Sequence, residues 1–126
     1  MSLILFIHHD SLKKGIALKN IIDQNFYGTE LQTLHTFNSF KASLKKSAGF
    51  TEKDIFIVLA ESRSRLEELT PLIDLLEGKQ TILILPDESK ATLSRASEFF
   101  PRFFTPMSDT YNDLCGVLHK MINRYE

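Results

Sequence analysis

Every residue is apolar in the stretch Ile55-Phe56-Ile57-Val58-Leu59, and this stretch decides the fold. A strand with one face in water alternates apolar and polar residues, whereas a strand covered on both faces is apolar throughout. Residues 3–7 share this character, and so do residues 81–85 apart from Thr81 at their start. We therefore predict three strands at the centre of a parallel sheet that is covered by helices on both sides.

Two further strands and five helices complete the predicted pattern. Residues 31–37 alternate in polarity and residues 102–105 form a short run, so they predict the second and fifth strands. The spacing of apolar residues predicts helices over residues 11–24, 39–47, 64–77, 89–99 and 109–124. Asn38 or Ser39 is expected to cap the second helix, which Gly49 would stop. Pro71 is expected to kink or split the third helix.

A strand followed by a helix thus occurs five times in 126 residues, enough for one domain, residues 1–126, that could be part of a longer protein. Connections that contain a helix join parallel strands with right-handed crossovers. The expected fold is α/β, a (βα)5 flavodoxin-like doubly wound sheet with strand order 2-1-3-4-5. Sites in such sheets lie where the strands end, near the switch between strands one and three. The residues expected at this edge are His8, His9, Asp10, Leu59, Ala60, Glu61, Ser62, Pro86, Asp87, Glu88, Thr105 and Pro106.

Composition narrows the classes of function. The formal net charge is −1 and the basic residues are scattered, so neither nucleic acid nor a membrane surface is an expected partner. Cys115 is the only cysteine, which excludes a disulfide within the chain, favours a cytoplasmic location and predicts a small buried hydrophobe. No apolar run is long enough to cross a membrane.

Two segments carry a resemblance to a known family. Residues 36–44 are similar to the turn and helix after the second strand of bacterial response regulator receiver domains. Phe103-Phe104-Thr105-Pro106 stands where receivers have a strand that ends in Lys-Pro. The resemblance covers almost the whole chain. It implies an aspartate phosphorylated after strand three, an acidic pair that holds Mg²⁺ after strand one, a Ser or Thr after strand four and a Lys after strand five.

The chain departs from the receiver pattern at all of these positions. His8 and His9 stand in place of the acidic pair, and Leu59 or Ala60 stands in place of the phosphorylated aspartate. Pro86 stands near the position of the Ser or Thr, and Thr105 stands at the position of the Lys. Phosphoryl transfer of this kind needs oxygen ligands for Mg²⁺ and a carboxylate nucleophile. The chain therefore resembles an atypical receiver, or pseudo-receiver, of bacterial signal transduction. It is expected to be no enzyme, to need no cofactor or Mg²⁺, and to act through a protein partner or as a homodimer.

Some polar groups remain at the expected edge. Asp10 and Glu61 could form a residual polar site that binds a divalent ion loosely, although capping and loop roles are the simpler interpretation. His8 and His9 are expected to point to opposite faces of an extended chain, which would prevent them from sharing a metal. Thr105 precedes Pro106, and this peptide bond could keep the cis form that receivers have there.

Two other functions stay open. A phosphohistidine carrier is one, because the mannose-type phosphotransferase A domains also place a histidine after the first strand; His8 or His9 would carry the phosphoryl group. The glycine-rich turn of that family is missing from residues 60–64. The other is a flavodoxin-like domain that binds a small ligand, for example an anion between His8, His9 and Thr105.

An aromatic cluster around the fifth strand predicts a surface for protein contact. Its members are Phe99, Phe100, Phe103 and Phe104, with Arg102 among them. In receivers, helix four, strand five and helix five form the output and dimer face. Exposed aromatic residues there would form a recognition surface, of which we name Phe99, Phe100, Arg102 and Phe104. The alternative is that all four phenylalanines belong to the core.

Overall fold

The computed structural model describes residues 2–46 and 54–123. Its strands are β1 (Ser2–Phe6), β2 (Glu30–Leu34), β3 (Ile55–Leu59), β4 (Gln80–Leu85) and β5 (Phe103–Pro106). Its helices are α1 (Leu12–Asn25), α2 (Phe37–Lys46), α3 (Arg63–Leu69), α4 (Ile73–Leu76), α5 (Lys90–Ser97) and α6 (Asn112–Asn123). Two short 3-10 turns cover His9–Ser11 and Thr70–Leu72. Among these residues, no helix is both long and apolar enough to cross a membrane.

The five strands form one parallel sheet in the order β2-β1-β3-β4-β5, which confirms the predicted (βα)5 flavodoxin-like arrangement. Leu3 pairs with Leu31 on one side and with Ile55 on the other. This register brings the residues after β1 and the residues after β3 to the same edge. The residues predicted at this edge after β1 and after β3 therefore lie close together.

The core has two layers because the central strands are buried on both faces. Alternate residues of β1, β3 and β4 pack against α1 and α6. The intervening residues pack against α2, α3, α4 and α5. Phe6 and Phe40 lie in this second layer with their rings stacked at 4.7 Å. Cys115 packs partly buried against the first layer, and burial raises the pKa of its thiol, which agrees with a structural role.

The second strand is shorter than predicted. It ends at Leu34, and Phe37 is the first residue of α2 rather than the last of a strand. The Thr36 hydroxyl accepts the Ser39 backbone N–H at 3.1 Å, and the Phe40 N–H donates to the Thr36 carbonyl at 3.0 Å. Thr36 thus begins the helix, instead of Asn38 or Ser39. The predicted helix end at Ser47 and the stop at Gly49 lie outside the described residues.

Local backbone geometry moves other helix boundaries. The predicted third helix is split at Pro71, as expected, into α3, the turn Thr70–Leu72 and α4. The last helix begins at Asn112 and not at 109, because Tyr111 has a φ of 67°, which is incompatible with a right-handed helix. Similarly, α5 ends before 99, and Phe100 follows with a φ of 48°. Residue 124, the predicted end of the last helix, lies outside the described residues.

Candidate functional site

The chain leaves β1 through a tight turn that brings two imidazoles together. The Ile7 N–H and the His9 N–H still donate to the carbonyls of Leu34 and His35, at 3.0 and 2.9 Å. The 3-10 turn then starts at His9, and His8 Nδ1 accepts the Asp10 backbone N–H at 3.1 Å. The rings of His8 and His9 consequently lie 4.2 Å apart, centroid to centroid. The expectation that they point to opposite faces is wrong, because the extended conformation ends before His9.

The Asp10 carboxylate faces both histidines. Its Oδ1 lies 3.1 Å from His9 Nδ1, and its Oδ2 lies 3.6 Å from His8 Nδ1. The side chain of His8 is only 9% exposed, whereas those of His9 and Asp10 are 57% and 66% exposed. The three residues form the His8–His9–Asp10 cluster, with one buried ligand and two accessible ones.

Arg65, in the first turn of α3, also lies at this edge, although its sequence position did not predict it. Its side chain is 10% exposed and its Nε donates to Glu61 Oε1 at 2.8 Å. Its Nη1 lies 3.2 Å from Glu68 Oε2, and its Nη2 lies 3.9 Å from Asp10 Oδ2. The guanidinium carbon lies 5.9 Å from the centre of the Phe37 ring. A cation therefore lies between the carboxyl ends of β1 and β3.

A sequence signal for Arg65 existed but was weak. Glu61 and Glu68 stand four residues before it and three residues after it, spacings at which side chains on a helix can meet. Ser62 caps α3 by accepting the Arg65 N–H at 3.1 Å, which sets where the helix begins. Such patterns are common on exposed helix faces, so only the packing of α3 on the sheet reveals that this pair is buried.

Burial and charge set the protonation of this edge. Burial raises the pKa of Glu61, but the Ser11 hydroxyl and the Arg65 guanidinium outweigh it and leave that pKa below its ordinary value. The other oxygen, Oε2, is buried and has no partner in good hydrogen-bond geometry among the described residues. Burial, together with the positive charge of Arg65, lowers the pKa of His8. Glu61 is thus an anion and His8 a neutral imidazole at neutral pH.

The other positions compared with the receiver pattern are packed or hydrogen-bonded within the fold. Leu59 and Ala60 are fully buried, and the Ala60 N–H donates to the Ile84 carbonyl at 2.8 Å. Pro86 is partly buried directly after β4. The Thr105 hydroxyl donates to Asp109 Oδ2 at 2.7 Å, and this bond lowers the pKa of Asp109.

Neighbouring residues at the same edge have structural roles. The hydroxyls of Thr92 and Ser89 and the Ser89 N–H lower the pKa of Asp87 to about 2, which makes Asp87 part of the start of α5. All peptide bonds between described residues are trans, including Thr105–Pro106, so the cis form that the sequence allowed there is not adopted. Pro106 instead ends β5 opposite Leu85, an extended position that the ordinary trans form fits.

The predicted residual pair of Asp10 and Glu61 lies at the same edge, but the two carboxylates differ in accessibility. Glu61 is only 7% exposed and lies 2.8 Å from Arg65, so it is the close counter-ion of this buried cation. Asp10 is 66% exposed and approaches Arg65 only to 3.9 Å.

The aromatic cluster divides between core and surface. Phe99 is buried, so it does not belong to the predicted contact surface, and Phe103 packs against the core. Phe100 is 84% exposed and Phe104 is 44% exposed, and Arg102 is exposed between them in sequence. The strand alternation of β5 explains the split of Phe103 and Phe104.

Comparison with known proteins assigns no family and no function to the chain. Neither a family model, nor a curated protein, nor a solved structure matches the chain. The function is therefore inferred from the fold and from the side chains at the strand ends.

Proposed function

We propose that this chain is a pseudo-receiver domain that acts through protein–protein contact and is not phosphorylated on aspartate. The observation that carries the proposal is the buried Arg65 guanidinium, bound to Glu61 at 2.8 Å between the ends of β1 and β3. In receivers, Mg²⁺ and the phosphorylated aspartate occupy this edge of the sheet. Here the Arg65 side chain supplies a positive charge at this edge without a bound ion.

The chemistry of phosphoryl transfer is missing from the side chains around Arg65. The acceptor position offers only the fully buried Leu59 and Ala60, which have no nucleophilic atom. Mg²⁺ requires several free oxygen ligands, but Glu61 already accepts a hydrogen bond from Arg65. A permanent cation at this edge favours one conformational state, in contrast to a switch that phosphorylation would drive.

Phosphoryl-mimic binding tests this part of the proposal. We expect amide NMR spectra to show no saturable shifts at His8, Leu59 or Thr105 when Mg²⁺ and then beryllofluoride are added. The physical reason is that the acceptor position holds Leu59 and Ala60 rather than a carboxylate, and that Glu61 is already paired with Arg65. Saturable shifts at these three positions would show a working acidic site and would contradict the proposal.

The contact surface is proposed to lie around β5. Phe104 on the edge strand β5, and Phe100 shortly before this strand, expose apolar area where receivers have their output and dimer face. Arg102 lies next to them in sequence and is also exposed. Aromatic and arginine side chains are the residues that most often dominate the binding energy of protein interfaces.

Sedimentation measurements over a range of concentrations test the homodimer form of this proposal. We expect the double variant Phe100→Ser/Phe104→Ser to weaken self-association at least about tenfold, since a single interface anchor contributes on the order of 1–2 kcal/mol or more. Tyr27→Ser is the matched control, because Tyr27 is 96% exposed but lies far from β5 in the chain, between α1 and β2. Equal weakening by the control, or none by the double variant, would place the contact elsewhere.

A further inference from the structure

We propose that the His8–His9–Asp10 cluster binds a divalent transition-metal ion of the Zn²⁺ class. The inference goes beyond the proposed function, because a pseudo-receiver needs no metal. The two imidazole rings are 4.2 Å apart, and one potential ligand atom from each of the three residues lies within 4.8 Å of the others. Imidazole and carboxylate are the ligand types that Zn²⁺ accepts together.

The distances fit a shared ion. Ligands at about 2.0–2.1 Å from a tetrahedral Zn²⁺ are separated from one another by about 3.3 Å. His9 Nδ1 lies 3.1 Å from Asp10 Oδ1, and His8 Nδ1 lies 3.6 Å from Asp10 Oδ2, on either side of that value. Binding one ion would require the three ligand atoms, now within 4.8 Å of one another, to draw closer together. His8 Nδ1 would give up the hydrogen bond that it accepts from the Asp10 backbone N–H and would bind the metal instead.

The surroundings of Asp10 leave its carboxylate accessible to an ion. Arg65 approaches Asp10 Oδ2 only to 3.9 Å and is bound more closely by Glu61 and Glu68. The metal class follows from the ligands: two nitrogens favour Zn²⁺ or its neighbours over Mg²⁺, which takes oxygen ligands.

The cluster has the form of an open site. His9 and Asp10 are more than half exposed, so solvent or a partner side chain can supply the remaining position of the ion. His8 anchors the site from inside, because its ring packs 5.1 Å from Phe37, the first residue of α2. A bound ion would connect the end of β1 to the accessible edge of the sheet.

Calorimetric titration with Zn²⁺, and the visible spectrum of the Co²⁺-loaded protein, test the proposal. We expect one ion per chain and a tetrahedral Co²⁺ spectrum. His9→Asn and Asp10→Asn should each weaken Zn²⁺ binding at least about tenfold, since even disturbing the groups around metal ligands costs that much. Both residues are exposed, so these variants are expected to stay folded. His119→Asn is the control, because the His119 ring packs against Phe26 with centroids 4.4 Å apart and is not part of the cluster.

Three outcomes would overturn the metal site. They are no saturable Zn²⁺ binding, binding that is unchanged in both cluster variants, and binding that is lost in the His119 control. Zn²⁺ binding and the response to Mg²⁺ with beryllofluoride are independent measurements. Failure of one proposal is therefore distinguishable from failure of the other.

Discussion

Replacing Arg65 by methionine is expected to lower the free energy of unfolding by about 3–5 kcal/mol. The side chains of Arg65 and Glu61 are only 10% and 7% exposed, and their charges are 2.8 Å apart. Removing the guanidinium leaves the Glu61 carboxylate buried without its counter-ion, which costs much more than losing a surface ion pair. Methionine keeps most of the packing against Phe37, so the loss reports mainly the charge. Urea denaturation provides the measurement.

Arg95 supplies the matched control for this experiment. It also pairs with two glutamates, Glu67 and Glu98, each at 2.8 Å, but these side chains are between 37% and 56% exposed. Arg95→Met should therefore lower the free energy of unfolding far less than Arg65→Met, because exposed ion pairs contribute little to stability. The double variant Arg65→Met/Glu61→Leu should recover most of the stability, because an apolar pair can replace a buried ion pair. Similar losses of unfolding free energy for Arg65→Met and Arg95→Met would contradict the conclusion that Arg65 is a buried cation on which Glu61 depends.

The Arg65→Met variant is also expected to reverse part of the dependence of the free energy of unfolding on pH. In the native protein the pKa of Glu61 lies below its ordinary value of 4.5, so its contribution is present above that pH and is lost as the pH falls further. Without Arg65, burial dominates and raises the pKa of Glu61, so protonation relieves the buried charge. The stability gap between the two proteins should narrow from neutral pH to about pH 4.5. A gap that stays constant would show that the carboxylate is not the cause.

Replacing Gly15 by alanine is expected to lower the free energy of unfolding by about 1–2 kcal/mol, although alanine is the better helix former. Gly15 lies buried in α1, where an added Cβ would be 2.5 Å from Cδ1 and 2.8 Å from Cγ2 of Ile7. Such overpacking exceeds the gain in helix propensity, which is about 1 kcal/mol. Thermal and urea unfolding of the variant measure the difference.

Gly116 is the control, because alanine is expected to stabilise the protein at this position rather than destabilise it. It lies in α6, and no heavy atom comes within 4 Å of the position that its Cβ would take. Gly116→Ala should therefore raise the free energy of unfolding by about 0.5–1 kcal/mol. In an Ile7→Ala background, the cost of Gly15→Ala should shrink or change sign, because the clashing atoms are gone. Equal effects at both glycines would mean that α1 packs less closely on β1 than the structure shows.

Much of the fold could be predicted because continuous apolar runs carry a strong signal. The prediction for β3 has the observed bounds, Ile55–Leu59, and the sheet order is the predicted one. The errors lie at boundaries that single local contacts decide. Phe37 continues the alternation of the second strand in sequence, yet the Thr36 hydroxyl starts a helix there. The left-handed φ of Tyr111 likewise shortens α6 in a way that apolar spacing cannot reveal.

The location of the candidate site was also predictable, but its chemistry was not. His8, His9, Asp10 and Glu61 were expected at the carboxyl edge of the sheet because parallel strands end together. Whether Glu61 is a free ligand or a counter-ion depends on Arg65, which reaches it only after α3 packs on the sheet. Whether two adjacent histidines diverge or meet depends on the turn that begins at His9.

By itself, the sequence determined the parallel doubly wound sheet, the edge at which polar groups gather and the absence of a phosphorylatable aspartate at the end of the third strand. These features follow from residue type and from periods of two and 3.6 residues, which are local properties. Only the tertiary structure decided that Arg65 is buried among carboxylates, that His8, His9 and Asp10 converge, and that Phe99 belongs to the core while Phe100 faces solvent. The reason is physical: burial and charge pairing depend on distances between segments that are remote in the chain, and packing alone sets those distances.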